Sequence, residues 1–196
     1  MSESSIASLV LASGSPRRKE MLENMGVRFA VHVADIDESR NPGEAPEDLV
    51  TRLARDKAKA VDAQLKDADI AVLAADTIVV QADMVYGKPT DFENAQQIWH
   101  SLSANKHQVM TAVCLFYAGR ANVKLGITEV EFGRITPEQM ERYWATGEPH
   151  DKAGAYAIQG YASAWVKQLH GSYSNVVGLP LRELNELLAI IDRNWL

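Results

Sequence analysis

Residues 8–26 read "SLVLASGSPRRKEMLENMG", and the reading of this stretch decides how the rest of the chain is parsed. The run "SLVLA" is largely apolar, so a first strand is expected over about 7–12. Ser15 then takes the N-cap position, Pro16 the first helical position and Gly26 the stop, which predicts a helix over 16–25. A strand leading through "SGS" straight into a helix is the opening of an α/β protein. Arg17, Arg18 and Lys19 fall in the first turn of that helix, where the dipole already places about half a positive charge. Backbone N–H groups, the Ser13 and Ser15 hydroxyls and the Arg17 and Arg18 guanidinium groups together suit a phosphate. The alternative is a capped helix whose arginines are solvated.

Outward from this stretch, short apolar runs keep alternating with amphipathic segments. "RFAVHVA" (28–34) reads as a second strand and passes into the acidic, loop-like "DIDESRNPGEAPED" (35–48). Between about 47 and 64, Val50, Leu53, Ala54, Lys57, Ala58 and Val61 share one helix face. "DIAVLAADTIVVQADMVYGKP" (69–89) holds two β-rich runs around Asp76. A helix over about 91–102 places Ala95, Ile98, Trp99 and Leu102 on one face, and 106–132 reads as a long hairpin or meander turning near Gly119. Thr136 and Pro137 open a helix over about 137–146. The Gly-rich segment 148–180 carries a strand-like "ASAWVKQL", and a terminal helix presents Leu184, Leu187, Leu188 and Ile191. No linker separates independent domains, so 1–196 is expected to be a single domain, with two lobes around a cleft still open.

With 46% hydrophobic and 23% charged residues, the chain has material for a sizeable core. Its formal net charge of −6 argues against binding a nucleic-acid polymer, so any anion site must be local. Cys114 is the only cysteine, which excludes an intrachain disulfide and an all-cysteine metal site; a reducing cytoplasm is the expected setting, with the thiol packed as a small apolar group. "IASLVLAS" follows "MSESS", which has no Lys or Arg, and so reads as a strand and not a signal peptide. No run approaches the roughly 18–20 apolar residues of a membrane-spanning helix.

Five further residues are candidates for chemistry. Asp76 is one carboxylate amid nearly unbroken apolar sequence, which calls for a partner such as a metal ion or a cationic cluster, or else marks a strand end or bulge. Lys57 lies in an apolar stripe, where a lysine stem commonly packs while its head reaches water. Lys88 follows Gly87 in a turn, Glu38 belongs to an acidic loop, and the Gln159 amide suits either a base edge or backbone groups. The five histidines show no H-E-x-x-H spacing, and P-loop, G-x-G-x-x-G and G-x-S-x-G templates are absent.

Taken in order, "LASGSPRRKEML", "AADTIVV", "GKPTD", "DKAGAYAIQG" and "GSYSNVVGLPL" resemble the Maf family of nucleoside triphosphate pyrophosphatases, over about residues 9–190. The resemblance implies an α/β fold like that of Maf and inosine triphosphatase proteins: an elongated, twisted mixed sheet flanked by helices, two lobes and a central cleft, commonly as a homodimer. It implies hydrolysis between the α- and β-phosphates with a divalent cation, Mg²⁺ or Mn²⁺. Position by position, the family's phosphate-binding residues match Ser13, Ser15, Arg17, Arg18, Lys57 and Lys88. Its acidic residues match Glu38 and Asp76, with Asp76 at the place of the proposed proton acceptor and both suited to the metal. Arg17, Thr77 and Gln159 look like the branch acting on dTTP and UTP, so pyrimidine nucleoside triphosphates are the expected partners. The family's name is also linked to inhibition of septum formation, which leaves a non-catalytic nucleotide-binding regulator as one alternative and purine triphosphate house-cleaning as another. Ala104 departs from a glycine common in the family and is expected to alter a turn; "GYASAWV" also differs from commoner glycine-rich versions.

Overall fold

The computed structural model describes residues 8–67 and 69–192. The residue-7 end of the expected first strand and the residues "MSESS" lie outside these. Strand β1 (Ser8–Leu11) is followed by helix α1 (Pro16–Asn24), β2 (Ala30–Val31), α2 (Pro46–Leu65), β3 (Ile70–Gln81), β4 (Met84–Tyr86), α3 (Phe92–Leu102), β5 (Lys106–Tyr117) and β6 (Arg120–Phe132). Helix α4 (Pro137–Ala145), three short 3-10 segments, β7 (Val166–His170), α5 (Tyr173–Val177) and α6 (Leu181–Leu188) complete the described elements, with a last 3-10 turn at Ala189–Ile191. Among the described residues one seven-stranded mixed sheet runs in the order β2-β1-β3-β5-β6-β7, with β4 paired to β3. No described helix is long and apolar enough to cross a membrane.

Contacts gather into two units: 8–76, 111–126 and 178–192 form the first, and 77–110 with 127–177 form the second. In the first, β1 pairs parallel with β2 (Val10↔Ala30) and with β3 (Leu11↔Leu73). The chain steps from β1 to β2 on one side and then across to β3 on the other, which makes β1/β3 a topological switch point, the place where α/β sheets bind ligands beyond their strand C-termini. Leu9, Leu11, Leu73 and Ala75 point to a face covered by Leu22 of α1 and Leu184, Leu187 and Leu188 of α6. Each such leucine contributes about 1.5–3 kcal/mol on full burial. Val72, Ala74 and Asp76 alternate onto the opposite face, where Lys57 of α2 reaches Asp76. Along α2, Leu49, Val50, Leu53, Ala54, Ala58 and Val61 are all buried.

Local signals explain the helix ends. Gly26, at φ +69°, closes α1 with the paired bonds Gly26 N–H to Glu23 O and Val27 N–H to Leu22 O, a Schellman arrangement. Thr136 and Gln139 form a reciprocal capping box at the start of α4. Ser15 occupies the N-cap of α1 with Pro16 following, yet its hydroxyl makes no capping bond.

In the second unit, α3 and α4 bring Trp99, Tyr143 and Trp144 together, and Trp99 and Tyr143 also meet Trp165, with ring centroids 4.8–6.5 Å apart. The Trp99 indole donates to the Ala155 carbonyl at 2.8 Å. Two-residue turns at Ala82-Asp83 and Ala118-Gly119 hold both central φ angles positive, as tight hairpins require.

Three expectations change. The second strand shrinks to Ala30–Val31, because beyond it the edge has no further partner among the described strands. The two runs around Asp76 are one unbroken twelve-residue strand, so Asp76 is not a strand end. "ASAWVKQL" is strand only from Val166; Tyr161–Trp165 is a 3-10 turn that buries Ala162 and Trp165.

Candidate active site

Strand β3 runs on past the end of β1. Ala12 N–H still bonds the Leu73 carbonyl at 2.7 Å, and Asp76 follows three residues later. This overhang places a carboxylate beside the loop Ser13-Gly14-Ser15 at the switch point, and Asp76 is only 7% exposed. Its partner is Lys57, whose Nζ donates to Asp76 Oδ1 at 2.6 Å. The same ammonium lies 2.8 Å from Glu38 Oε1. Lys57 therefore does not simply reach water from an apolar stripe: it is the charge that makes a buried Asp76 tolerable.

Arg18 turns inward. Its Nε donates to the Gly178 carbonyl at 2.8 Å, and its Nη1 to both the Ala75 carbonyl at 2.8 Å and the Ser13 hydroxyl at 2.9 Å. Burial pushes the guanidinium below its usual pKa, and the Asp76 carboxylate opposes that shift. Ser13 Oγ also accepts the Ser15 N–H at 3.3 Å. A hydroxyl that accepts two bonds has its own proton left to donate, which suits a phosphate oxygen. A methyl group added at Gly14 would meet only a Val33 methyl at 3.9 Å, so packing within the chain does not demand glycine there.

The loop bearing Glu38 is clipped to α2. Arg52 holds the Glu44 carboxylate through Nε at 2.6 Å and Nη2 at 2.9 Å, and Nη2 also donates to the Ser39 carbonyl. This fork holds the Glu44 pKa down at about 2.

In the second unit, Thr77 follows Asp76 along β3 with its side chain on the opposite face, half-buried. Lys88 is exposed beside Gly87, whose carbonyl accepts the Gly154 N–H at 3.0 Å. Gln159 is exposed on a turn closed by Gly160 N–H to Ala157 O. The Tyr143 hydroxyl donates to Glu148 Oε1 at 2.7 Å and accepts the Ala157 N–H, while Glu148 Oε2 accepts the Tyr161 N–H. Burial and the neighbouring carboxylate raise the Tyr143 pKa, so the phenol keeps the proton that this clamp uses.

The model of the Maf family, described as Maf-like protein, matches residues 8–191. The chain belongs to the Maf family. A dTTP/UTP pyrophosphatase of Hahella chejuensis (strain KCTC 2396) is 49% identical to it over 181 residues, spanning 92% of this chain and 90% of that protein. A dTTP/UTP pyrophosphatase of Escherichia coli O157:H7 is 49% identical over 184 residues, spanning 94% and 93% of the two chains. One from Vibrio cholerae serotype O1 is 46% identical over 183 residues, spanning 93% and 97%. Among solved structures, the Ham1 protein of Staphylococcus aureus is similar, with a TM-score of 0.50 at 13% identity over 94% of this chain and 98% of that one; the likeness is one of fold.

In this Maf-family chain Ser13, Arg18, Glu38, Lys57 and Asp76 come together in the first unit. Glu38 and Asp76 converge on one cationic nitrogen, and two hard oxygen anions with substrate phosphates are the donor set that suits Mg²⁺ or Mn²⁺. Among the described residues no group of three or more His, Cys, Asp or Glu could hold a metal, so water and phosphate oxygens would complete the shell. Sequence reasoning missed the carbonyls of Ala75 and Gly178, the Arg52–Glu44 fork and the Tyr143–Glu148 clamp. Gly160, immediately after Gln159, was the one local signal for the last: a Cβ there would lie 1.9 Å from Glu148 Oε2.

Proposed function

We propose that this Maf-family protein is a hydrolase that cleaves dTTP and UTP between the α- and β-phosphates, releasing pyrophosphate and the nucleoside monophosphate. Relatives named dTTP/UTP pyrophosphatase, 49% identical over nearly the full chain, support the substrate class. The observation that carries the chemistry is the Lys57 ammonium joining Asp76 and Glu38 beside the Ser13-Gly14-Ser15 loop. A pure triphosphate binder would gain nothing from a buried carboxylate that repels its ligand.

A triphosphate brings about four negative charges, and phosphoryl cleavage rests on positioning and charge neutralisation. Ser13, Ser15, Arg17, Lys57 and Lys88 hold phosphate oxygens in this reading. Arg18, with its Nε and Nη1 hydrogens committed to protein acceptors, contributes its charge and keeps Ser13 in place. Asp76 orients the attacking water and accepts its proton. Glu38 and Asp76 would hold Mg²⁺ or Mn²⁺, which when bound neutralises phosphate charge. Thr77, Gln159 and Arg17 read the pyrimidine. A homodimer belongs to the same reading, on the family resemblance alone, and sedimentation of the purified chain checks it.

The test is a panel of UTP, dTTP, 5-methyl-UTP, CTP, ITP and 7-methyl-GTP with Mg²⁺ or Mn²⁺, scoring pyrophosphate and monophosphate. Fastest turnover of UTP and dTTP supports the reading. Release of orthophosphate, preference for ITP or 7-methyl-GTP, or no turnover at all overturns it.

A further inference from the structure

In the first unit one nitrogen, Lys57 Nζ, sits 2.6 Å from Asp76 Oδ1 and 2.8 Å from Glu38 Oε1. The Lys57 and Asp76 side chains are 17% and 10% exposed, so this ion pair is largely withdrawn from water. Lys57 is anchored at the base by α2, whose Ala54, Ala58 and Val61 are fully buried, and Asp76 by the interior of β3. Two carboxylates drawn to one atom need a positive charge between them, and a lysine ammonium supplies one.

The carboxylates are also the pair proposed to hold the divalent ion, and the ammonium takes an oxygen from each. Mg²⁺ binds carboxylate oxygens at about 2.0–2.1 Å in a tight shell, which leaves no room for an ammonium on the same pair of atoms. By charge, Glu38, Asp76 and Lys57 sum to −1. A divalent ion arriving alone would turn the cluster to +1 and would press against Lys57. A triphosphate arriving with the ion offers Lys57 a new anionic partner. Lysine is fitted to such an exchange, being a point charge on a four-carbon stem with rotatable donors and not a fixed fork.

We infer that Lys57 is a stand-in cation: it occupies the metal position between Glu38 and Asp76 in the nucleotide-free protein and swings to a phosphate oxygen when metal and nucleotide enter together. This rests on the proposed reading of Glu38 and Asp76 as the metal pair. Metal and nucleotide affinities are then coupled, each strengthening the other by the same factor. The protein stays without metal until substrate is present, and the carboxylates are never left facing one another uncompensated.

The test reads Mn²⁺ binding directly, by the electron paramagnetic resonance signal of free Mn²⁺, on full-length protein with and without a UTP analogue bridged by methylene between the α- and β-phosphorus. Wild type is expected to bind Mn²⁺ at least about tenfold more tightly with the analogue than without it, once the Mn²⁺ held by the analogue in protein-free controls is subtracted. Lys57→Met, which keeps the stem and loses the charge, should bind Mn²⁺ without nucleotide about tenfold more tightly than wild type and lose most of the coupling. Lys57→Gln serves the same end if the Met variant does not fold. Equal nucleotide-free affinity in wild type and the folded variant overturns the stand-in role while leaving the metal pair intact. A gain in Lys57→Met that survives adding Glu38→Gln and Asp76→Asn overturns the metal pair itself. Absence of coupling in wild type, which needs no variant, also overturns the inference.

Discussion

Arg18 donates to the carbonyl of Ala75, the residue that precedes Asp76 on β3, and the same guanidinium reaches Gly178, 160 residues along the chain. One side chain thus ties the β1–α1 loop, the edge of the carboxylate strand and the approach to α6. Arg18→Lys keeps the charge and loses the fork, so it should cost about 2 kcal/mol by orphaning buried carbonyls and lower Tm by about 4–8 °C. A thermal melt checks this, and an unchanged Tm would show that the brace holds nothing.

Asp76→Asn keeps the size of the side chain and removes the proton acceptor. Turnover of UTP should fall by about a hundredfold or more, the usual scale for losing a general base. Near-normal kcat in a protein with normal circular dichroism would remove Asp76 from the chemistry.

At Gly14 the chain leaves space for a methyl group, 3.9 Å from Val33. Gly14→Ala should therefore leave stability within about 0.5 kcal/mol of wild type. A backbone that must approach a phosphate closely has no such room, so KM for UTP should rise by about tenfold or more. Unchanged KM would mean that no phosphate touches this loop.

His107 is buried, hydrogen-bonded through Nε2 to the Tyr156 hydroxyl at 2.8 Å and packed edge-on against Phe132. Desolvation lowers its pKa from 6.5 to about 4, so it stays neutral in the fold while the unfolded chain protonates first. Its contribution is complete above about pH 6.5 and drains away as the pH falls toward 4, by about 3 kcal/mol in total. Glu44, held down by Arg52, loses its own contribution in a lower window, between 4.5 and about 2. Urea unfolding at pH 7.5, 5.5 and 4.5 reads the upper window; a midpoint that does not move across it would refute the assignment.

Ala104 stands at φ +56°, where the family's glycine would be at ease, and its N–H bonds the Gly133 carbonyl at 3.0 Å. The left-handed conformation costs a non-glycine residue about 1–2 kcal/mol, and glycine gives part of that back in unfolded-chain entropy. Ala104→Gly should raise Tm by about 2 °C. A lower Tm would mean that the turn does not strain the alanine.

Where the sequence was readable, periodicity made it so. Ala95, Ile98, Trp99 and Leu102, and likewise Leu184, Leu187, Leu188 and Ile191, are buried together because residues three and four apart share a helix face. Chain punctuation was equally direct at Gly26, Pro137 and the Ala118-Gly119 turn. What stayed hidden depends on partners distant along the chain. Lys57 looked like a packed stem until β3 put Asp76 beside it, 19 positions away. Arg18 was read as a phosphate ligand or a solvated side chain, and its inward bonds stayed hidden because two of its acceptors are backbone carbonyls, which any residue type supplies. The start of "ASAWVKQL" read as strand because the run is short and β-rich, while burial of Trp165 among aromatic rings overrode the local pattern.

Glu148 fills the volume that a side chain at position 160 would take, and from there it holds the backbone of the turn that displays Gln159. Two positions twelve residues apart thus share a single space. Neither can drift alone: enlarging residue 160 evicts the carboxylate, and shortening residue 148 opens a gap while freeing the turn. Any redesign of the Gln159 turn therefore has to change both together.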